Sequence, residues 1–328
     1  MAVTAPARTA NEGLEFGLRK ERSLWGDAWR RLLRNRAAVL GMIIISFFAV
    51  MAIVAPYLSN DPTLNIVARN DLRPPFWVDN PNPRKTGTME YPLGTDTLGR
   101  DLFTKLMYGA RVSLIVGLVP TLMVVAIGMS IGMAAGYAGG WIDNLLMRLT
   151  DVVYAFPDLL FIIIIMSAFR DSPLGRPLGG LLLLFVSLSI IGWTGMARLI
   201  RGQVLSVKEK EFVEAARAMG ASRGRIMLRH LLPNIFAPVL VFIAFGIPGA
   251  IIGEAALGFF GLGLRPATPG TPSTFPTSWG VLIQEGVSSL QGSPWMLIFG
   301  ATVIGLTVLS FTFIGDGLRD ALDPRQRD

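Results

Sequence analysis

Residues 208–234 read KEKEFVEAARAMGASRGRIMLRHLLPN, a polar stretch set between two long apolar runs. Phe212, Ala215, Ala216 and Met219 fall at i, i+3, i+4 and i+7, which places them on one face of a short helix. Lys210, Glu214 and Arg217 take the other face at helical pairing distances. Gly220 is the expected stop, since glycine enters the left-handed region at little cost. Ser222 is placed to N-cap a second, basic helix carrying Arg223, Arg225 and Arg229, which Pro233 is expected to end. The stretch reads as a two-helix elbow outside a bilayer. Its small, apolar face fits a groove on another protein. The competing reading is an amphipathic helix resting on lipid.

The flanks make the bilayer necessary. Of 328 residues, 52% are hydrophobic and only 16% charged, where soluble domains carry about a quarter charged. The chain is expected to be an all-α integral membrane protein. A net charge of +7 raises nucleic acid as a partner, but that needs a basic groove on a soluble fold. Here the positive charge sits beside apolar runs, where it sets orientation instead. There are no cysteines, so neither disulfides nor thiolate chemistry enter. No cluster with metal-ligand spacing stands out, and no metal or cofactor is expected on this chain.

In chain order, residues 1–36 form a tail. Within it Trp25, Ala28, Trp29, Leu32 and Leu33 share a helical face ringed by Arg30, Arg31, Arg34 and Arg36, the pattern of an interfacial helix. Residues 37–58 carry no charge and are long enough to span. Residues 59–111 read as a polar extramembrane loop. It ends in a short helix near Arg100–Tyr108 in which Leu102, Leu106 and Ala110, with Phe103 beside them, rest on the membrane surface, either as a re-entrant segment or against a partner. Residues 112–316 hold five further spans: 112–141, 151–169, 178–197, 235–253 and 295–315. Residues 143–151 are a short loop between two of them, and 317–328 a closing tail. Gly128, Gly132 and Gly136 recur every four residues, which allows close helix contact. Gly128–Gly132 also matches a serine-hydrolase elbow formally, but Ser130 lies mid-span and the one histidine, His230, lies in the polar elbow. With the elbow inside, the inner segments hold 20 of the 30 Lys and Arg, a positive-inside bias with both termini cytoplasmic.

Two acidic residues are candidates for a polar path. Asp158 follows Pro157 at a helix break, either lining a pathway or simply solvating a first turn. Glu254 follows the kink expected at Pro248 and sits beside yielding Gly-rich backbone, where it either attracts a cationic solute at the outer mouth or bonds a freed N–H or Arg265.

Glu214-Ala215-Ala216, Gly220 and Leu232-Pro233 together resemble the EAA loop of ATP-binding-cassette (ABC) importer permeases, with His230 standing where that family has Ile. YPLGTDTLGRDLFTKLMYGARVSL, residues 91–114, resembles the segment after the first span in C-type permeases for dipeptides, oligopeptides and nickel. Tyr91 stands there for a common His, and Thr104-Lys105 for a common Ser-Arg. The likeness runs from Leu32 to Arg325, and residues 266–278 form a Pro-rich insertion beyond the family's shorter link.

The resemblance implies a type I importer permease of six spans in a bacterial or archaeal cytoplasmic membrane. Its EAA loop, here Phe212, Glu214, Ala215, Ala216, Arg217, Met219, Gly220 and Ser222, would couple to the ATPases. It further implies a second related permease, two cytoplasmic ATPase subunits that hold the ATP and Mg, and an extracytoplasmic solute-binding protein. The cargo would be di- or oligopeptides, with nickel, an oligosaccharide or another solute as alternatives. The chain has no G-x-x-x-x-G-K-[ST] phosphate loop, so it is expected to transport without hydrolysing ATP itself. An ion-coupled secondary transporter and a membrane scaffold for a signalling partner are the competing classes.

Overall fold

The computed structural model describes residues 24–59, 61–64, 71–82, 86–265 and 267–323. The first 23 residues, Pro83, Pro266 and the last five residues lie outside them, as does the side chain of Trp25. Among the described residues the regular structure is helical. It comprises α1 (Leu24–Arg34), α2 (Arg36–Leu58), α3 (Leu102–Ala138), α4 (Gly140–Tyr154), α5 (Asp158–Phe169), α6 (Leu181–Lys208), α7 (Glu211–Ala218), a single turn α8 (Arg223–Arg225), α9 (Leu232–Phe259), α10 (Trp279–Ser288) and α11 (Trp295–Leu322).

Small residues fix which helices touch and in which sense. A Cβ on Gly132 would lie 2.5 Å from the Ala197 carbonyl oxygen, one on Gly128 2.6 Å from the Met196 Cβ, and one on Gly136 2.9 Å from the Val204 Cβ. The four-residue glycine stripe therefore lets α3 lie directly on α6. Both numbers rise together along this seam, so α3 and α6 run parallel. The chain must cross the bundle once between them. α4 and α5 make that crossing as one broken span, bent by 78°. α9 runs against α3, with Gly246 on Thr121, Gly117 on Ile247 and Ile251, and Leu257 beside Val112 and Val116. α11 runs against α2, with Gly41 on the Ser310 carbonyl and Gly317 on Ala38. The result is six crossings, with α1 and the end of α11 at the same face as the elbow. We call this the elbow end, and the opposite face the far end.

Several boundaries differ from those read in the sequence. The short helix expected near Arg100–Tyr108 is the first three turns of α3, not a surface segment. Asp101 caps it through the N–H groups of Phe103 and Thr104, and Leu102, Leu106 and Ala110 are buried against α2 and α10, leaving only Phe103 exposed. The expected loop at 143–151 is helix α4. Its charges hid it, yet Asp143 holds Arg201 through two bonds of 2.6 and 2.7 Å and Asp151 holds Arg198 at 2.8 Å, so both face paired cations on α6. Pro233 does not end the basic helix. A π-helical stretch, Ile226–Leu231, joins α8 to α9, and the widened turn absorbs the proline ring so that the helix runs on. α10 was not foreseen. Ser278 caps it, accepting from the Val281 N–H at 3.1 Å, and its Trp279 is fully buried against Gly109 and Ser113 of α3.

α1 is held to the bundle rather than lying free. Ala28 and Leu32 are buried against Ala38 and Ala321, while Trp29 and Leu33 stay exposed, so the expected apolar face divides between protein and lipid. The Pro-rich stretch expected to be an insertion also packs. Gly270 N–H donates to the Thr63 carbonyl at 2.8 Å, and Ser273 N–H to Asp61 at 2.7 Å.

Candidate functional site

At the elbow, α7 ends as the sequence requires. Gly220 has φ +80°, the Ala221 N–H donates to the Ala216 carbonyl at 3.0 Å, and the Gly220 N–H to the Arg217 carbonyl at 3.0 Å. These two bonds form a Schellman cap, which only a residue tolerant of positive φ closes without strain. Ser222 then accepts from the Arg225 N–H at 3.4 Å to start the next turn. At the elbow's root Lys208 donates to the Gly136 carbonyl at 3.1 Å, a cation at the C-terminal end of α3.

The faces of α7 are distributed differently from the sequence reading. Val213 is buried in a cluster with Val204, Val207, Ile226 and Leu231, and Ala216 is buried on the same side of α7. Ala216 therefore belongs to the inner face, and Val213, overlooked in the sequence, anchors it. The signal was present, since 213 and 216 are as well spaced as 212 and 215. Phe212, Glu214, Ala215, Arg217, Met219 and Ser222 are exposed, Met219 to 81%. Leu228, lifted out by the π turn, adds another exposed apolar side chain that the sequence did not mark. Among the described residues no ion pair joins Lys210, Glu214 and Arg217, so their charge is unspent. A rigidly capped helix end, apolar at Phe212, Ala215 and Met219 and fringed by free charges, is a surface shaped for another protein.

Two clefts share a wall above this elbow. The first, about 340 Å³, lies mid-bundle among Pro120, Leu188, Gly192, Phe242, Gly246 and Asp158. The second, about 950 Å³, opens toward the elbow end past Gln203, Asn234 and Arg319, and it shares Phe242 and Gly246 with the first. The two meet at Phe242 and Gly246, between the elbow end and mid-depth, and we refer to them together as the half-channel. Asp158 stands on its wall at the α4–α5 break, exposed, and no described residue bonds or pairs with its carboxylate.

Glu254 is elsewhere. It is fully buried, lines neither cleft, and accepts from the Ser278 hydroxyl at 2.6 Å with its carboxylate against the Gly280 backbone. The expected partner Arg265 pairs instead with Asp171 at 2.9 Å and with the Arg170 carbonyl. Glu254 thus ties α9 to the cap of α10, the structural alternative with Ser278 in place of Arg265. A buried ionic cluster lies beside this joint. Asp96 accepts from Arg100 at 2.6 Å and Lys105 at 2.9 Å, and both cations also reach Glu285 of α10, Arg100 at 3.2 Å. Burial pushes the Asp96 carboxyl up, but Lys105 and Arg100 outweigh it and hold the group below its usual 3.8.

Residues 128–328 match the family described as binding-protein-dependent transport system inner membrane component, and residues 23–75 match the N-terminal TM domain of oligopeptide transport permease C. The chain belongs to this permease family. The permease is 39% identical over 311 residues to the oligopeptide transport system permease protein OppC of Haemophilus influenzae, covering 93% of this chain and 90% of that one. It is 40% identical over 306 residues to OppC of Escherichia coli, covering 93% of each, and 39% identical to the dipeptide transport system permease protein DppC of Bacillus subtilis, covering 92% and 86%. In three dimensions it resembles a chain of the inward-facing MetNI methionine ABC transporter, with a TM-score of 0.52 at 18% identity over 67% of this chain and 96% of that one, a likeness of fold. The permease is therefore the membrane-spanning subunit of an ABC importer, in a family that works with a binding protein.

Proposed function

We propose that this permease forms one half of a peptide-importing channel and passes the work of ATP hydrolysis, done by two separate cytoplasmic subunits, through its elbow. The elbow carries the reading. Its exposed face of Phe212, Ala215 and Met219 lies at the end of the bundle where the half-channel opens. A helix that is buried on Val213 and Ala216 and joined to both α6 and α9 moves those helices when it is pushed. Phe212, Glu214, Ala215, Arg217, Met219 and Ser222 meet the ATPase, while Ala216 and Gly220 hold the shape of the contact.

A second related permease closes the open side of the channel, and a solute-binding protein delivers cargo at the far end. Di- and oligopeptides are the cargo favoured by the relatives' names. Asp158 is the charged side chain on the wall of the mid-bundle cleft. Both termini, the elbow and α1 face the cytoplasm, as the positive-inside excess supports. A secondary transporter would need several buried ionisable groups on the path, and Glu254 lines neither cleft.

Absence of cysteine makes the test direct. Single cysteines at Ser222 and Thr268 are treated with an impermeant thiol reagent on intact cells, and uptake of a labelled tripeptide is followed in the same strains. Thr268→Cys should react at once and Ser222→Cys only after the cells are opened, with uptake retained by Thr268→Cys. Reaction of Ser222→Cys from outside, or no peptide uptake by the assembled wild type, overturns the reading.

A further inference from the structure

We infer that the junction of α1, α2 and α11 is a binding site for an anionic glycerophospholipid headgroup in the elbow-side leaflet. A hollow of about 290 Å³ lies there, lined by Arg31, Arg34, Asn35, Gly317, Asp320 and Ala321. It exists where small residues, Ala38 on α2 and Gly317 on α11, let the three helices meet closely. A Cβ on Gly317 would sit 2.6 Å from the Ala38 Cβ and 3.1 Å from Leu32 Cδ1, and Leu32 and Ala28 are buried on the other side of the joint. Packing of α1 onto α11 thus fixes the backbone from which Arg31 and Arg34 project, instead of leaving two loose surface cations.

The donor set is matched to a phosphodiester. Arg31 and Arg34 pair with no carboxylate among the described residues. The Asn35 side-chain oxygen is used by the N–H groups of Ala37 and Ala38, at 3.0 and 3.2 Å, which leaves its amide N–H₂ as a donor. Two guanidinium groups and an amide therefore face one carboxylate, Asp320, so the hollow carries an excess positive charge that a monoanionic headgroup neutralises. The exposed Asp320 carboxylate accepts from no described residue, and a headgroup hydroxyl can donate to it. Phosphatidylglycerol has both features.

The surroundings are those of a membrane surface. Trp29 and Leu33 are 56% and 48% exposed on the same short helix. α2 leaves the junction with Leu40, Ile43, Phe47 and Val50 exposed at helical spacing, an apolar stripe against which acyl chains lie. Basic pockets between spans on the cytoplasmic side attract anionic headgroups in this way. The inference concerns the junction of α1, α2 and α11 and stands whatever the permease transports.

The assembled transporter, extracted into mild detergent, is delipidated stepwise in the presence of phosphatidylglycerol or phosphatidylcholine, and retained lipid is counted by native mass spectrometry. Wild type should hold phosphatidylglycerol longest. Arg31→Gln with Arg34→Gln should cut that retention roughly tenfold, with phosphatidylcholine retention unchanged and Arg148→Gln, an exposed arginine away from the hollow, like wild type. Equal retention by the double variant overturns the inference. So does parallel loss of both lipids, which marks a general loosening of the lipid annulus. Displacement by millimolar glycerol phosphate overturns the lipid assignment in favour of a soluble phosphate. If the double variant fails to assemble, Asp320→Asn decides. It keeps both arginines and should erase a preference for phosphatidylglycerol over phosphatidic acid, and an unchanged preference contradicts the site.

Discussion

At the far end of the bundle, Asp96, Arg100, Lys105 and Glu285 close on one another, with Lys105 only 1% exposed, and Trp279 and Glu254 are sealed beside them. At the elbow end Met219 is 81% exposed, Leu228 is 66% exposed, and the charges of Lys210, Glu214 and Arg217 find no partner among the described residues. Both ends hold polar sequence between apolar helices, yet they use it oppositely. The far end spends its charge internally, which fixes the first loop, α3 and α10 as one rigid unit. The elbow end spends only its backbone caps internally and leaves apolar and charged side chains for another surface. Rigidity at one end and unspent contacts at the other are what a subunit driven from one side requires.

The contrast breaks first at Lys105. Replacing it with Met leaves buried Asp96 and half-buried Glu285 to share Arg100 alone, a loss at the low end of about 3–5 kcal/mol. Thermal unfolding of the purified subunit should show a large fall in midpoint, whereas Met219→Ala should leave the midpoint within error. Similar shifts from the two changes would erase the distinction between the ends.

A smaller effect is expected along the seam that joins them. Gly132→Leu drives a side chain into the Ala197 carbonyl, which is backbone and cannot rotate away, at about 1–3 kcal/mol. The variant should insert but unfold at lower temperature, and an unaltered midpoint would mean that α3 and α6 do not pack through the glycine stripe.

Smaller still is the acid response. Because the folded pKa of Asp96 lies below 3.8, its contribution is complete above that value and is lost as pH falls through the folded pKa. Unfolding midpoints followed from pH 5 downward should fall below about pH 4 in wild type, and less steeply in Asp96→Asn. The Asn variant should already be less stable at neutral pH. An identical slope in both proteins would remove Asp96 from the joint.

The sequence made the elbow legible because its signals are local. Gly220 and Ser222 announce caps within a few residues of the bonds they make, and the glycine stripe of α3 needs no knowledge of α6. What stayed hidden depended on distant partners. Lys105 and Arg111 made the start of α3 read as a surface helix, because one of the two carboxylates that hold buried Lys105 is Glu285, 180 residues away. Asp143 and Asp151 disguised α4 in the same way, their arginines lying on α6. Between a channel role and a structural one the residues around Glu254 do not decide, because its hydroxyl partner, Ser278, lies at the end of the Pro-rich stretch. Ala216 was assigned to the wrong face because two small residues in tandem satisfy either face equally.

Coupling through the elbow is tested most directly by ATP hydrolysis in the reconstituted importer. The permease, its partner permease and both ATPase subunits are placed in proteoliposomes, and hydrolysis is measured with and without peptide-loaded binding protein. Wild type should be stimulated. Gly220→Val, which strains the cap by roughly 1 kcal/mol without meeting any neighbour, and Met219→Glu, which leaves the fold intact, should each abolish stimulation and uptake while the subunit still inserts. Stimulated hydrolysis and normal uptake in both variants would contradict the account, because the exposed face of α7 would then carry no work.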